Sequence, residues 1–175
     1  GKTTILVNLF QQHFRPRTVL TTTTAMIAPG HRDRTANPCA EFRQLNDALL
    51  HIYQAPPDTS GVWYGTSLPD VPGKYKGIEK DVIDTYIRER REMNDRELIV
   101  LCEADGSKRK PLKAHADHEP VIPRTTDLTL IIFGCAGIGK PLTEQSVHRA
   151  DIFSETVGKN EGERIEIEDL IDLLR

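Results

Sequence analysis

The amino-acid sequence predicts an α/β fold in which helices cover both faces of a mostly parallel central sheet. Two largely apolar runs, LIVLCE at residues 98–103 and DLTLIIF at residues 127–133, are typical of strands buried on both faces, as in parallel sheets. Segments with apolar residues at helical spacing alternate with the predicted strands, which is the pattern of three-layer α/β proteins. At 175 residues the chain fits one domain of ordinary size, residues 1–175.

The composition is typical of a globular protein that neither binds nucleic acid nor crosses a membrane. A net charge of −3 lacks the basic balance of a general nucleic-acid binder. No apolar run approaches the ~20 residues that span a bilayer, and no segment resembles a signal peptide. We therefore expect a cytoplasmic protein without nucleic-acid or membrane partners, and the sequence leaves its oligomeric state open.

The first residues, Gly1, Lys2, Thr3 and Thr4, match the second half of a phosphate-binding loop, G-x-x-x-x-G-K-[ST]. In this motif the lysine contacts the outer phosphate oxygens and the hydroxyl binds magnesium, which assigns these roles to Lys2 and Thr3. Apolar residues at helical spacing follow, so the loop opens a helix whose N-terminus favours anions. We predict a P-loop NTPase-like domain whose N-terminal strand is missing from this chain. Alternatively, Gly1 and Lys2 simply precede a helix.

Residues 17–24 are predicted to form a short strand, because β-branched residues pack well on a pleated sheet. The threonines at its end, Thr21 to Thr24, have two open interpretations. Their hydroxyls contact a phosphate, a magnesium-bound water or a substrate, or the residues are simple strand formers. After a loop, residues 41–54 place apolar side chains on one face of a predicted helix.

Residues 55–77 are rich in proline and glycine and are predicted to be a connecting or lid-like region. Within it, residues 62–64 are the only strand-like piece. A helix is predicted over residues 78–93, with apolar residues inward and the charged run RERRE facing solvent.

The strand predicted over residues 98–103 ends at a carboxylate, Glu103, and a second carboxylate, Asp105, follows two residues later. In nucleotide hydrolases a buried strand ends in an acidic residue that holds magnesium directly or through water. Glu103 occupies that place, and Asp105 points to the same side of an extended chain. We predict both as catalytic residues and assign magnesium to Thr3 and Glu103. A turn is the alternative role for Asp105 and Gly106.

Four cations follow these carboxylates: Lys108, Arg109, Lys110 and Lys113. They are candidates for binding a second phosphate or an anionic substrate, since arginine offers a planar fork and lysine a point charge. We include Gly106, Lys108, Arg109 and Lys113 in the predicted nucleotide site. Solvation at the surface is the alternative for these lysines and this arginine.

Residues 134–140, GCAGIGK, match the phosphate-loop pattern again. The next residue, Pro141, offers neither the hydroxyl that magnesium needs nor a backbone N–H, so the phosphate role stays with the N-terminal motif. We expect this loop to line the substrate or base side of the site. The remaining predicted elements are a helix over residues 145–157, a short element at 165–167 and a helix over 169–175.

The histidines His115 and His118 do not have the spacing of a metal-binding helix, and Pro120 disfavours a helix there. We expect hydrogen bonds that fix this loop rather than a transition-metal site. The cysteines are far apart in sequence and are expected to be reduced, buried and inert: Cys39, Cys102 and Cys135.

Four segments together resemble the YqeC family, the accessory proteins of selenium-dependent molybdenum hydroxylases. They are GKTT at residues 1–4, VLTTTTAMIAP at 19–29, EADGSKRKPLKAHADHEPVIP at 103–123 and GCAGIGKPLTEQSVHRADIFSE at 134–155. The resemblance implies a P-loop nucleotide-binding protein in selenium cofactor biosynthesis or insertion. The family's EADGS and HEP positions correspond to Glu103, Asp105, Gly106, His118, Glu119 and Pro120.

The expected function is that of a nucleotide-binding, NTP-hydrolysing accessory protein with ATP or GTP and magnesium as cofactors. Its expected partner is a selenium-dependent molybdenum hydroxylase or the cofactor of that enzyme. The sequence has no Asn/Thr-Lys-x-Asp motif, which favours ATP over GTP. Two alternatives stay open. One is an NTP-dependent small-molecule kinase or Mur-like ligase, with Lys108 to Lys113 binding the acceptor; the other is a non-catalytic, nucleotide-switched chaperone or carrier.

Overall fold

The computed structural model describes residues 2–12, 18–27, 42–44, 61–64, 68–70, 72–95 and 97–174. The chain divides into two compact units. The sheet unit comprises Lys2–Asp105 and Val121–Leu128, and the C-terminal unit comprises Gly106–Pro120 and Thr129–Arg175. Helices and short parallel sheets confirm the predicted α/β class. The prediction of one domain over residues 1–175 stays a prediction.

The sheet unit is built on four parallel strands in the order β3-β4-β1-β6. A separate antiparallel pair joins β2 to β5. Its helices are α1 (Lys2–Gln12) and α2 (Lys80–Glu92). Its strands are β1 (Thr18–Thr22), β2 (Met26–Ile27), β3 (Phe42–Gln44), β4 (Gly61–Tyr64), β5 (Lys74–Tyr75) and β6 (Ile99–Glu103). The helix predicted after GKTT is confirmed over residues 2–12, and the one predicted over 78–93 is confirmed over 80–92. The strands predicted over 17–24, 62–64 and 98–103 are confirmed over 18–22, 61–64 and 99–103. The expectation that 62–64 is the only strand-like piece of residues 55–77 is wrong, because β5 also lies there.

The two helices of the sheet unit pack through the apolar stripes that the sequence places on one face. In α1, Phe10 is fully buried and packs with Leu20 of β1. In α2, Ile83 and Tyr86 are buried against Val19. Fully burying such side chains contributes about 1.5–3 kcal/mol each, so the apolar stripes hold both helices in the sheet unit.

A buried carboxylate on α2, Asp84, fixes the segment that follows residue 120. Asp84 Oδ1 accepts hydrogen bonds from the backbone N–H and the hydroxyl of Thr125, each at 2.8 Å. Burial opposes ionisation of this side chain, but the hydrogen bonds from Thr125 outweigh it, and the pKa of Asp84 is lowered. The ionised carboxylate therefore stabilises the fold.

We expect Asp84→Ala to reduce the free energy of unfolding by about 2 kcal/mol at neutral pH, because the Thr125 N–H loses its partner. The stabilisation by a carboxylate with a lowered pKa is present above its ordinary value of 3.8 and is lost as the pH falls below it. Urea unfolding at pH 7 and pH 3 measures both effects. Asp81→Ala, an exposed change on the same helix, is the control and should cost well under 1 kcal/mol. An equal loss at both pH values would contradict the role of the ionised form.

The C-terminal unit has a core of its own, in which Leu112, Leu142, Val147, Phe153 and Ile165 are almost fully buried. Its described elements are β7 (Leu112–Lys113), a 3₁₀ turn (Cys135–Gly137), β8 (Val147–His148), α3 (Ala150–Val157) and α4 (Ile167–Asp172). Strands β7 and β8 pair in parallel.

Helix α3 ends where the sequence predicts, but it begins later. Gly158 adopts a left-handed conformation with φ 69°, and its N–H donates to Ser154 O at 2.9 Å, which ends the helix. The predicted helix over residues 145–157 is wrong before Ala150, because Val147 and His148 pair with β7 instead. The predicted C-terminal helix is confirmed over residues 169–172, within α4. Of the short element predicted at residues 165–167, only Ile167 lies in regular structure, as the first residue of α4.

The strand predicted over residues 127–133 is wrong, and the helix predicted over residues 41–54 is wrong where it is described, at residues 42–44. The run over residues 127–133 is not a strand, and its side chains are largely exposed at Leu128 (75%), Leu130 (60%) and Ile131 (60%). An apolar run becomes a strand only when a neighbouring strand satisfies its backbone, and within the described ranges no strand pairs with this one. Within the helix predicted over residues 41–54, Phe42–Gln44 form β3, because pairing with β4 overrides local spacing; the other residues of that helix lie outside the described ones.

The described residues contain no helix that is long and apolar enough to cross a bilayer.

Candidate functional site

The parallel pairing of β1 with β6 brings two strand ends to one edge of the sheet. Thr22, the last residue of β1, is in register with Glu103, the last residue of β6. The Thr22 hydroxyl donates to the Glu103 carbonyl at 2.8 Å, and the Thr23 N–H donates to the same oxygen at 3.1 Å. These bonds fix the backbone that carries the Glu103 side chain.

Helix α1 begins at the same place, and its first two residues contact the predicted carboxylates. The Thr3 hydroxyl donates to Glu103 Oε2 at 2.6 Å. Lys2 Nζ forms an ion pair with Asp105 Oδ2 at 3.3 Å. The structure therefore brings together four residues that the sequence predicts for one site.

The Glu103 carboxylate is in an environment that opposes its charge. Glu103 is only 9% exposed, and this burial raises its pKa. The Thr3 hydrogen bond and the Lys2 charge act in the opposite direction, while Asp105 adds a second negative charge. A buried carboxylate of this kind gains from a nearby cation, which would offset the loss of hydration.

The donor atoms at this edge fit magnesium. The Thr3 hydroxyl and the Glu103 carboxylate are oxygen ligands of the type that Mg²⁺ prefers, and they already lie 2.6 Å apart. The first turn of α1 contains no acidic residue, so the positive end of its helix dipole is not neutralised within the helix. Thr4, the other predicted residue in this turn, is exposed. The positive end of this helix dipole favours an anion, and the carboxylates that contact its first two residues are Asp105 and Glu103.

The threonines at the end of β1 form hydrogen bonds within the sheet unit. The Thr22 hydroxyl donates to the Glu103 carbonyl, and the Thr23 hydroxyl donates to Val121 O at 2.7 Å. Thr21 and Thr22 are fully buried. These contacts favour a structural role for Thr22 and Thr23, one of the two roles that the sequence leaves open.

The other predicted site residues belong to the C-terminal unit or lie outside the described residues, as Gly1 does. A Cβ at Gly106 would meet nothing within 4 Å, so packing does not require glycine there. Lys108 and Arg109 are exposed and adopt positive φ values of 48° and 66°. Lys113 is buried and donates to Gly106 O at 2.9 Å.

In the loop that contains the histidines, the carboxylate of Glu119 forms ion pairs with two cations. Glu119 accepts from Lys113 and Arg149, while His115 and His118 are exposed. Among the described residues, no three His, Cys, Asp or Glu side chains are grouped so as to hold a metal ion. The contacts of Arg149 and the burial of His148 in the same unit could not be read from sequence, because their partners are distant in the chain.

The two described cysteines differ in environment. Burial raises the pKa of Cys102 to about 11, so its thiol stays protonated and unreactive at neutral pH, as expected. Cys135 is exposed, which corrects the expectation that it is buried, because the apolar run before it does not enter a sheet. Cys39 lies outside the described residues.

The fold and this site define an α/β protein in which a helix begins at the carboxyl edge of a parallel sheet, with a hydroxyl and a lysine each bound to a carboxylate. The chain belongs to the YqeC family. A family model described as "YqeC protein" matches residues 1–151. A relative from Escherichia coli (strain K12), described as "Uncharacterized protein YqeC", is 29% identical over 185 aligned positions that cover 100% of this chain.

The chain spans 64% of the length of that relative. No solved structure matches the chain.

Proposed function

We propose that the sheet unit binds a nucleoside triphosphate with magnesium at the start of α1 and hydrolyses it, as a P-loop NTPase-like domain. The observation that carries this proposal is the 2.6 Å hydrogen bond from Thr3 to Glu103. It joins the hydroxyl of a GKTT motif, at the start of a helix, to a buried carboxylate at the end of a parallel strand. Phosphate and magnesium sites of nucleotide hydrolases are built from these parts.

Each residue of the site has a distinct role in the proposal. Lys2 contacts the outer phosphate oxygens, and the first turn of α1 supplies N–H donors. Thr3 and Glu103 hold magnesium, which neutralises phosphate charge when bound. Asp105 holds Lys2 in place and orients water or a substrate hydroxyl. The proposed nucleotide is ATP or GTP, and the absence of a guanine-binding motif in these residues favours ATP.

The biological setting of the proposed activity comes from the resemblance in sequence. The resemblance implies a role in selenium cofactor biosynthesis or insertion, so the proposed partner is a selenium-dependent molybdenum hydroxylase or its cofactor. Loss of selenium-dependent hydroxylase activity in cells that carry only a Lys2→Ala form would support this role. Unchanged activity and selenium content of the hydroxylase in those cells would contradict it.

We expect Lys2→Ala to weaken ATP binding at least tenfold, because a hydrogen bond to a charged group contributes about 1.5–3 kcal/mol. Calorimetric titration with ATP and GTP, with and without magnesium, measures the effect. Lys80→Ala is the control, because Lys80 is also the first residue of a helix, α2, whereas Lys2 is the first residue of α1. Equal affinities of the wild-type protein and Lys2→Ala would refute the proposal.

A turnover assay separates hydrolysis from the other activities of such a site. Hydrolysis releases inorganic phosphate over many turnovers of the isolated protein. Transfer of the phosphate to an acceptor, or slow turnover that only a partner accelerates, would instead indicate a kinase or ligase, or a nucleotide-controlled switch.

A further inference from the structure

In the C-terminal unit, two cations converge on one carboxylate oxygen. Glu119 Oε2 lies 2.9 Å from Lys113 Nζ and 2.8 Å from Arg149 Nη1. The Lys113 side chain is 4% exposed and that of Arg149 is 22% exposed. The Glu119 pKa is lowered although burial acts to raise it, because Lys113 and Arg149 favour the ionised form. One carboxylate here balances two cations.

A second carboxylate in the same unit, Glu144, also contacts a cation. Glu144 Oε2 pairs with Lys110 Nζ at 2.6 Å, and Glu144 Oε1 accepts from the Ala150 N–H at the start of α3, at 3.1 Å. The start of α3 is therefore already bound by an anionic group. Together, these contacts join three cations, Lys110, Lys113 and Arg149, to two carboxylates, Glu119 and Glu144.

The third group in this unit is the imidazole of His148, whose pKa is affected by nearby cations. It is 9% exposed and lies in register with Lys113 in the β7–β8 pair. Its pKa is lowered, first by burial and then by four cations: Lys108, Lys113, Arg149 and Lys110. These cations and the Glu144 carboxylate, which also interacts with His148, form the charged surroundings of the imidazole.

Three of the cationic residues in this unit adopt a strained backbone conformation. The φ angles are 48° at Lys108, 66° at Arg109 and 64° at Arg149. For residues with a Cβ this region costs about 1 kcal/mol or more each, and such residues concentrate at functional sites. Two of these three residues, Lys108 and Arg149, are among the cations that lower the pKa of His148.

We propose that Arg149, Lys108, Lys110 and His148 bind a small tetrahedral oxyanion of the phosphate type. The bond from Arg149 Nη1 to Glu119 uses one of five guanidinium N–H donors and fixes the orientation of the fork. The exposed side chain of Lys108 adds a point charge, and His148 donates one hydrogen bond. Lys113 and Glu119 position Arg149 and do not contact the anion. This proposal does not rest on the proposed nucleotide site at α1.

We test this site with inorganic phosphate titrated into the full chain at constant ionic strength in chloride. We expect saturable binding to the wild-type protein with a Kd of roughly 1 mM or tighter, and at least tenfold weaker binding to Arg149→Met. Arg91→Met is the matched control, because Arg91 also forms an ion pair with one carboxylate, Asp127, at 2.8 Å, outside this unit. Binding to Arg91→Met should be unchanged.

A second readout follows the imidazole itself by NMR. Phosphate should raise the pKa of His148, since a bound anion favours the imidazolium; the ring signals are identified by their loss in His148→Gln. If Arg149→Met does not fold, Lys108→Met at an exposed position serves in its place. No saturable phosphate binding, or binding that Arg149→Met and Lys108→Met leave unchanged, would overturn the proposal.

The Lys2→Ala variant separates this proposal from that for α1. Phosphate binding that persists in Lys2→Ala and is lost in Arg149→Met supports the C-terminal site, whether or not ATP binds at α1. Phosphate binding that is lost in Lys2→Ala and persists in Arg149→Met places the anion at α1 and overturns the C-terminal site.

Discussion

Replacing Glu103 with glutamine is expected to lower ATP turnover by about 10²- to 10³-fold, the usual loss when one preorganised electrostatic group is removed from an active site. Glutamine keeps the shape of the side chain and can still accept the Thr3 hydrogen bond, which is 2.6 Å long in the wild-type protein. It lacks the charge that holds magnesium in the proposal. Turnover should fall far more than the affinity for ATP in the absence of magnesium.

The same substitution is expected to stabilise the protein at neutral pH by on the order of 1 kcal/mol. Burial raises the pKa of Glu103 above its ordinary value of 4.5, so between the two values the folded state binds more protons than the unfolded state. Stability therefore falls as the pH rises through this window, and Glu103→Gln removes the fall. Thermal unfolding measured from pH 4 to pH 8 in both proteins checks the sign.

Glu97→Gln is the control for both effects, because Glu97 is exposed and precedes the same strand. It should change neither turnover nor the pH dependence of unfolding. Full turnover in Glu103→Gln would exclude Glu103 from the proposed reaction. A steeper loss of stability with rising pH in Glu103→Gln would contradict the raised pKa of Glu103.

Replacing Gly77 with alanine is expected to cost about 3 kcal/mol of folding free energy, the upper part of the usual range for overpacking. A Cβ at Gly77 would lie 2.3 Å from the Thr23 carbonyl carbon and 2.5 Å from both N and O of Thr24. These are backbone atoms that cannot rotate away. The next residue also contacts β1, since the Ile78 N–H donates to Thr22 O at 2.7 Å.

Urea unfolding of Gly77→Ala measures the cost, with Gly106→Ala as the control for stability, because a Cβ at Gly106 meets no atom within 4 Å. Gly77→Ala should also impair ATP turnover at temperatures where it remains folded, because the displaced Thr22–Thr24 backbone contacts the Glu103 carbonyl. Equal stability of the two alanine variants would show that the close approach at Gly77 relaxes without cost.

The sequence predicts those parts of the sheet unit that depend on local pattern. Apolar spacing places α1 and α2, and the GKTT motif with a strand-terminal carboxylate predicts Thr3 and Glu103, which lie in contact. Strand β1 precedes α2 in the sequence and strand β6 follows it, and the two strands pair in one register. That register depends on hydrogen bonds such as Thr22 to Glu103, which a pattern within one segment does not contain.

The wrong predictions arise where a distant neighbour decides the structure. Residues 127–133 have the pattern of a buried strand, but a strand forms only with a partner, and Leu130 remains 60% exposed. The role of Lys113 in binding an anionic ligand stays a prediction, but its burial and its contact with Glu119 could not be read from local sequence. The contact between Arg149 and Glu119 spans 30 positions, so no local motif indicates it.

The ion pair between Lys2 and Asp105 has a consequence for any anion that approaches the start of α1. The lysine already has a carboxylate partner at 3.3 Å, so an incoming anion must compete with that partner. The measured affinity then reflects the difference in free energy between the ion pair of Lys2 with the ligand and its ion pair with Asp105. A ligand binds Lys2 only if its ion pair with the lysine is more favourable than the one that Asp105 already forms.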